Sequence, residues 1–203
     1  MPAHALLLAA GSGSRFGSHK LVAVWRGRPM IAHVITTINA LRDRGAIAGA
    51  LAVVRSGDDR VIDLARQAGF RLVLNSDPGE GLSHSLRLGL GALAMLDPVP
   101  DGALVFLADQ PAVPIAAAED VLTAWNLAGG PVVRPRYEAS PAEPGHPILL
   151  DRDVWGLADG LTGDHGLGAA LARAPDLVTY VDVDGANPDV DTPADLTRLP
   201  RSS

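Results

Sequence analysis

A continuous apolar run at residues 5–10, Ala-Leu-Leu-Leu-Ala-Ala, leads straight into Gly11-Ser12-Gly13-Ser14. A strand that is apolar on both faces belongs inside a parallel sheet covered by helices on either side. Small residues leaving such a strand let backbone N–H groups come close to an anion and form a concave nest. The run is too short to span a membrane and carries no basic flank, so a soluble cytoplasmic protein with no membrane partner is expected.

The same alternation continues along the chain. Pro29 opens a helix with Met30, Val34, Ile38 and Leu41 near one face, and Gly45 stops it. Residues 51–54 read as a second strand. Asp58 can cap a helix carrying Val61, Leu64 and Ala68, which ends at Gly69. Residues 72–74 make a third strand, and Ser83 or Ser85 can start a helix with Leu86, Leu90 and Leu93 on one side. Further strands fall at 104–107, 131–134 and 178–183, a helix at 117–128, and an aperiodic loop at 134–145. Repeated βα units of this size predict an α/β fold, a single doubly wound and mainly parallel sheet. With no linker or internal repeat in 203 residues, one domain over 1–203 is expected.

Charge and cysteine content narrow the function classes. The formal net charge of −6 argues against nucleic-acid binding, which needs basic surface, yet leaves room for one basic pocket around a small phosphorylated ligand. There are no cysteines, so disulfides, thiolate metal sites and cysteine nucleophiles are excluded.

Chemistry-bearing residues punctuate the strand ends. After the first turn come Arg15 and Lys20, fixed positive charges that suit a triphosphate and its transition state. A dinucleotide fingerprint would need glycine at Phe16, but the third glycine is Gly17; a Walker A motif fails because His19 and Leu21 flank Lys20. Asp109 ends the strand at 104–107 and is either a turn former before Gln110-Pro111 or a carboxylate placed to hold Mg²⁺ beside phosphates. Gly81, Ser83 and Ser85 sit between a strand and a helix, where the serines serve as caps or face a ligand. His146, before Pro147, is a turn residue or an acceptor contact. Asp189 and Asp191 fall on one side if their segment stays extended, although Asp191 or Thr192 can also cap a helix.

The string Leu8-Ala9-Ala10-Gly11 through Arg15, Gly17 and Lys20 resembles the signature of MobA-like nucleotidyltransferases, L-x-A-G/A-G-x-x-x-R-x-G-x-x-K. Leu107-Ala108-Asp109-Gln110-Pro111 is similar to that family's metal motif, and 189–196 to its D-x-D-T-P-x-D/E-L segment. The Ala9-Ala10-Gly11 form and Gly145-His146-Pro147-Ile148-Leu149 resemble the molybdenum-cofactor cytidylyltransferase branch. Gly163-Asp164-His165-Gly166 resembles the family's G-D-x-G, but the arginine that often follows is replaced by Leu167 and Gly168.

The resemblance implies a Rossmann-like, nucleotide-diphospho-sugar transferase type of fold. It implies transfer of CMP from CTP, or another NTP, to the terminal phosphate of molybdenum-bound molybdopterin, with Mg²⁺ and release of pyrophosphate. Arg15, Lys20 and Asp109 carry catalysis in that reading; residues 9–14 with Gly81, Ser83 and Ser85 bind nucleotide. His146, Asp164 and His165 border the phosphorylated pterin acceptor, and Asp109 with Asp189 or Asp191 hold the metal. A molybdoenzyme is the implied receiver of the product. Two rivals remain: an NAD(P)H-dependent oxidoreductase similar to nicotine-blue reductases, and a non-catalytic carrier of molybdenum cofactor.

Overall fold

Alternation along β1 (His4–Ala9) decides which layer each side chain joins. Ala5, Leu7 and Ala9 point into one apolar core, while Leu6, Leu8 and the following Ala10 point into another on the opposite face. The computed structural model describes residues 2–11, 16, 20–128, 130–143, 145–163 and 167–199. Arg15, Ser12, Gly13, Ser14, Asp164 and His165 therefore lie outside the described residues.

A short hairpin, β2 (Val24–Trp25) and β3 (Arg28–Pro29), precedes α1 (Met30–Asp43). The chain then runs through β4 (Gly49–Arg55), α2 (Asp59–Gln67), β5 (Arg71–Asn75), α3 (Leu82–Ala94), β6 (Gly102–Leu107) and α4 (Ile115–Ala128). It continues through β7 (Val132–Tyr137), β8 (Ile148–Asp151), α5 (Leu167–Leu171), β9 (Val178–Val183) and α6 (Pro193–Arg198). The large sheet has the order β5-β4-β1-β6-β8-β7-β9. Strand β8 is antiparallel to both neighbours, and the other pairings are parallel. The expected doubly wound sheet is thus present, with α1, α2 and α4 packed on one face and α3 and α5 on the other.

Local signals explain most boundaries. Pro29 stands before the first turn of α1, and Gly45 leaves that helix at φ +71°. Asp58 accepts a hydrogen bond from the Val61 N–H at 3.3 Å and caps α2, as expected. Two expectations change. Gly81, at φ +85°, is the N-cap of α3, so Ser83 and Ser85 lie inside the helix and are buried rather than capping it. Residues 134–137, expected in a loop, continue β7 because their backbone pairs with β9 through Arg134↔Tyr180 and Tyr137↔Val183.

Helix α3 approaches β1 and β4 closely at Gly89. A Cβ there would lie 2.5 and 2.8 Å from the Leu6 Cδ atoms and 3.1 Å from Val53 Cγ2. Alanine is the better helix former by about 1 kcal/mol, but overpacking a closed core costs about 1–3 kcal/mol. Gly89→Ala is expected to lose about 1 kcal/mol net in a urea unfolding series; a gain would show that Leu6 can move aside.

Candidate active site

Strand order places the cleft. β1 lies between β4 and β6, so the chain leaves β1 toward one side of the sheet and returns to the other at β6. A crevice opens at the carboxyl ends where such strands diverge, and ligands of open α/β sheets bind there. Gly11 follows β1 and Asp109 follows β6, one on each side of that crevice.

Lys20 joins them. Its Nζ donates to Asp109 Oδ2 at 2.9 Å and to Asp191 Oδ1 at 2.9 Å, with only 10% of its side chain exposed. Burial alone would lower the lysine pKa; attraction and hydrogen bonds from Asp109 and then Asp191 outweigh it and hold the pKa above its ordinary value. The ammonium is therefore charged throughout the neutral range. Three residues expected to act together from distant parts of the sequence meet at one nitrogen.

The third acid faces a different partner. Asp189 Oδ1 accepts from Gln110 Nε2 at 2.7 Å, while Val190 between the two acids is buried and its N–H donates to the Asp109 carbonyl at 3.0 Å. The residue keeps much of its surface open, yet enclosure of the carboxylate raises its pKa; the Gln110 hydrogen bond opposes this, and the charges of Asp109 and Asp191 add to it. Neither Asp189 nor Asp191 caps α6. Thr192 is the N-cap, as one of the two expected alternatives has it, and Asp195 in the first turn completes the capping box, accepting from the Thr192 N–H at 2.7 Å and the Thr192 hydroxyl at 2.8 Å.

These oxygens fit a hard divalent cation. Among the described residues no three acidic or histidine side chains form a ready-made cage. Asp109 and Asp191, which converge on the Lys20 ammonium, carry the carboxylate oxygens that hard divalent cations prefer.

Of the residues expected to bind nucleotide, Ala9, Ala10, Gly11, Gly81, Ser83 and Ser85 are among the described residues. Ala9 and Ala10 are buried in the two cores, so only their backbone can face a ligand. Ser85 Oγ accepts from the buried Asn75 Nδ2 at 3.0 Å, and Asn75 Oδ1 accepts from the Asp77 N–H at 2.8 Å, fixing the turn before Gly81. Ser83 is fully buried, and its Oγ has no hydrogen-bond partner among the described residues. The Ser83 N–H donates to the Gly163 carbonyl at 3.2 Å, which brings the residues just before 164–166 beside Ser83.

His146 stands across the crevice, at the entry to the antiparallel β8. Part of the residue remains accessible, but the imidazole is enclosed, and burial with the positive charge of Arg134 lowers its pKa to about 3. It is therefore neutral and cannot serve as a cationic phosphate anchor. Its carbonyl accepts from the Tyr137 hydroxyl at 2.6 Å and from Asn187 Nδ2 at 3.1 Å.

Sequence reading missed Arg134, Asn187 and Gln110. Arg134 is 9% exposed in β7, where burial lowers its pKa. It stands where the expected strand at 131–134 meets the expected loop at 134–145, a boundary that shows nothing of its burial. Asn187 and Gln110 are buried amides bonded across 77 positions, a pairing that no spacing rule reveals.

Comparison with known proteins shows the family and the fold. A family model, the MobA-like NTP transferase domain, matches residues 5–178. The bifunctional protein GlmU of Rhizorhabdus wittichii is 32% identical over 133 residues, covering 64% of this chain and 28% of that protein. 2-C-methyl-D-erythritol 4-phosphate cytidylyltransferase of Chromobacterium violaceum is 34% identical over 124 residues, covering 60% of this chain and 52% of that one. The chain thus spans from 28% to 52% of the length of these two curated relatives. Rv0371c from Mycobacterium tuberculosis H37Rv superposes with a TM-score of 0.80 at 25% identity, covering 98% of this chain and 97% of that one. The same mycobacterial protein is also known in complex with manganese. The chain described here belongs to the MobA-like NTP transferase domain family.

Proposed function

We propose that this protein transfers CMP from CTP to the terminal phosphate of molybdenum-bound molybdopterin, releasing pyrophosphate, with the whole chain acting as one catalytic domain. The observation that carries the nucleotidyl-transfer reading is Lys20 held between Asp109 and Asp191 in the crevice between β1 and β6. Kinship with a cytidylyltransferase and the Ala9-Ala10-Gly11 turn favour CTP over other triphosphates. The Gly145-His146-Pro147-Ile148-Leu149 string favours a pterin acceptor, and a molybdoenzyme is the receiver of the product in this reading.

The chemistry asks for positioning and charge rather than a protein nucleophile. An oxygen of the acceptor phosphate attacks the α-phosphorus in line; a new P–O bond forms as the bond to the β-phosphate breaks, and the electron pair leaves with pyrophosphate. A phosphate oxygen that is already ionised needs no general base, consistent with a neutral His146. Lys20 has three donors, two of them engaged by Asp109 and Asp191, so one remains to direct at the triphosphate. In this reading the glycine-rich sequence 11–14 and Arg15, which follow β1 in the chain, would enclose the phosphates. A divalent cation, Mg²⁺ in this reading, would be held by Asp109 with Asp189 and Asp191 and would supply neutralisation of phosphate charge.

Thermal unfolding with CTP, GTP, ATP, UTP and NADPH, each with and without Mg²⁺, tests the reading. A ligand at a hundred times its dissociation constant stabilises by about 2.7 kcal/mol, which for a domain of this size raises Tm by roughly 5–10 °C. The expected result is a Mg²⁺-dependent shift with CTP above the rest. A shift with NADPH alone, indifferent to Mg²⁺, would replace the transferase with a reductase.

A further inference from the structure

Two buried amides link the acidic loop to the segment entering β8. Asn187, 8% exposed, donates from Nδ2 to the His146 carbonyl at 3.1 Å and to Gln110 Oε1 at 3.0 Å. Gln110, 6% exposed, donates from Nε2 to Asp189 Oδ1 at 2.7 Å. The two ends of this chain, a backbone carbonyl and a carboxylate, are acceptors. Only one orientation of both amides satisfies them: Asn187 donates at both of its contacts, which turns Gln110 so that its NH₂ faces Asp189. Flipping either amide sets oxygen against oxygen in a buried place, a costly arrangement.

We infer that Asn187 and Gln110 form a polarity-locked relay that positions Asp189 for the divalent cation and ties it to the His146 segment. One Asp189 oxygen is engaged by Gln110, which fixes the direction of the carboxylate. Gln110 directly follows Asp109, and the Val190 N–H binds the Asp109 carbonyl at 3.0 Å. The relay thus fixes the two acidic segments against each other at adjacent points. Because its far end is the His146 carbonyl, also held by the Tyr137 hydroxyl at 2.6 Å, a shift of that segment is transmitted to the metal side. Asn187 and Gln110 are positioning residues here, acting through Asp189.

This inference rests on the nucleotidyltransferase reading, and the test separates the two. Mn²⁺ binding in the presence of CTP is followed by electron paramagnetic resonance for the unaltered protein, Asn187→Ala, Asn187→Leu and Gln110→Leu, with thermal melting to establish that each is folded. Changing a partner that orients a metal-binding group costs about 10–100-fold in metal affinity. The expected result is about tenfold weaker Mn²⁺ binding in Asn187→Ala and Asn187→Leu alike, and in Gln110→Leu. If Asn187 only filled space, leucine would keep the volume and restore binding that alanine loses, and that split overturns the relay. Folded variants with affinities matching the unaltered protein also overturn it. Should the Asn187 variants fail to fold, Gln110→Leu decides on the same readout. If the unaltered protein binds no Mn²⁺ with CTP, the transferase reading itself fails and the relay falls with it.

Discussion

Asp109→Ala is expected to abolish nucleotidyl transfer while leaving the fold standing. Its carboxylate is one of two that meet at the Lys20 ammonium, and in the proposed reading its help in neutralising phosphate charge is worth several kcal/mol of transition-state stabilisation. At about 1.4 kcal/mol per decade, a loss of about 4 kcal/mol lowers kcat about a thousandfold. Stability should change little, because the side chain is 32% exposed and its structural tie to the acidic loop runs through the backbone carbonyl, which the substitution keeps. Pyrophosphate release measured against Mg²⁺ concentration checks this. Normal Mg²⁺-dependent turnover in a folded Asp109→Ala protein would return Asp109 to the role of a turn residue.

Lys20→Met is expected to lower kcat by about 10²–10³, the usual cost of removing one donor aimed at developing charge. Methionine keeps much of the stem that packs in the crevice but removes the charge. The same change leaves Asp109 and Asp191 facing one another without their shared cation, so the variant should bind Mn²⁺ more tightly than the unaltered protein when nucleotide is absent. An unchanged rate would take Lys20 out of the site. Titration sets the pH window. The lysine pKa is raised on folding, so its stabilising contribution is complete below the ordinary value of about 10.4 and is lost as pH rises through the higher folded value. Between about pH 6 and 9 the defect of Lys20→Met should therefore be constant.

Legibility followed the range of the forces involved. β1, the α2 cap at Asp58 and the span of β9 could be read because period-2 burial, a cap and a turn are set by neighbours in sequence. The meeting of Lys20 with Asp109 and Asp191 was expected only as a shared cleft, inferred from strand ends and from resemblance. The hairpin of β2 and β3 has two residues in each strand, too few to show a period. β8 is a four-residue apolar stretch whose direction depends on where its neighbours already lie. β7 carries Arg134, Pro135 and Arg136, residues that read as loop until β9 supplies the pairing edge. Ser83 and Ser85 have good capping chemistry, but Gly81 alone has the backbone freedom for φ +85°, and it took the position. The Gln110–Asn187 contact exists because β6 and the segment after β9 end at the same rim.

The antiparallel β8 has a consequence for how a fold like this diversifies. Reversing one strand lets the connection between β7 and β8 turn back at the carboxyl rim instead of crossing beneath the sheet, on the β6 side of the crevice. Insertions there leave β1, β6 and their helices in register, since the connection's length costs only slowly growing loop entropy. The side of the molecule that would meet an acceptor in the proposed reading can thus change in length without moving the side that would handle the triphosphate.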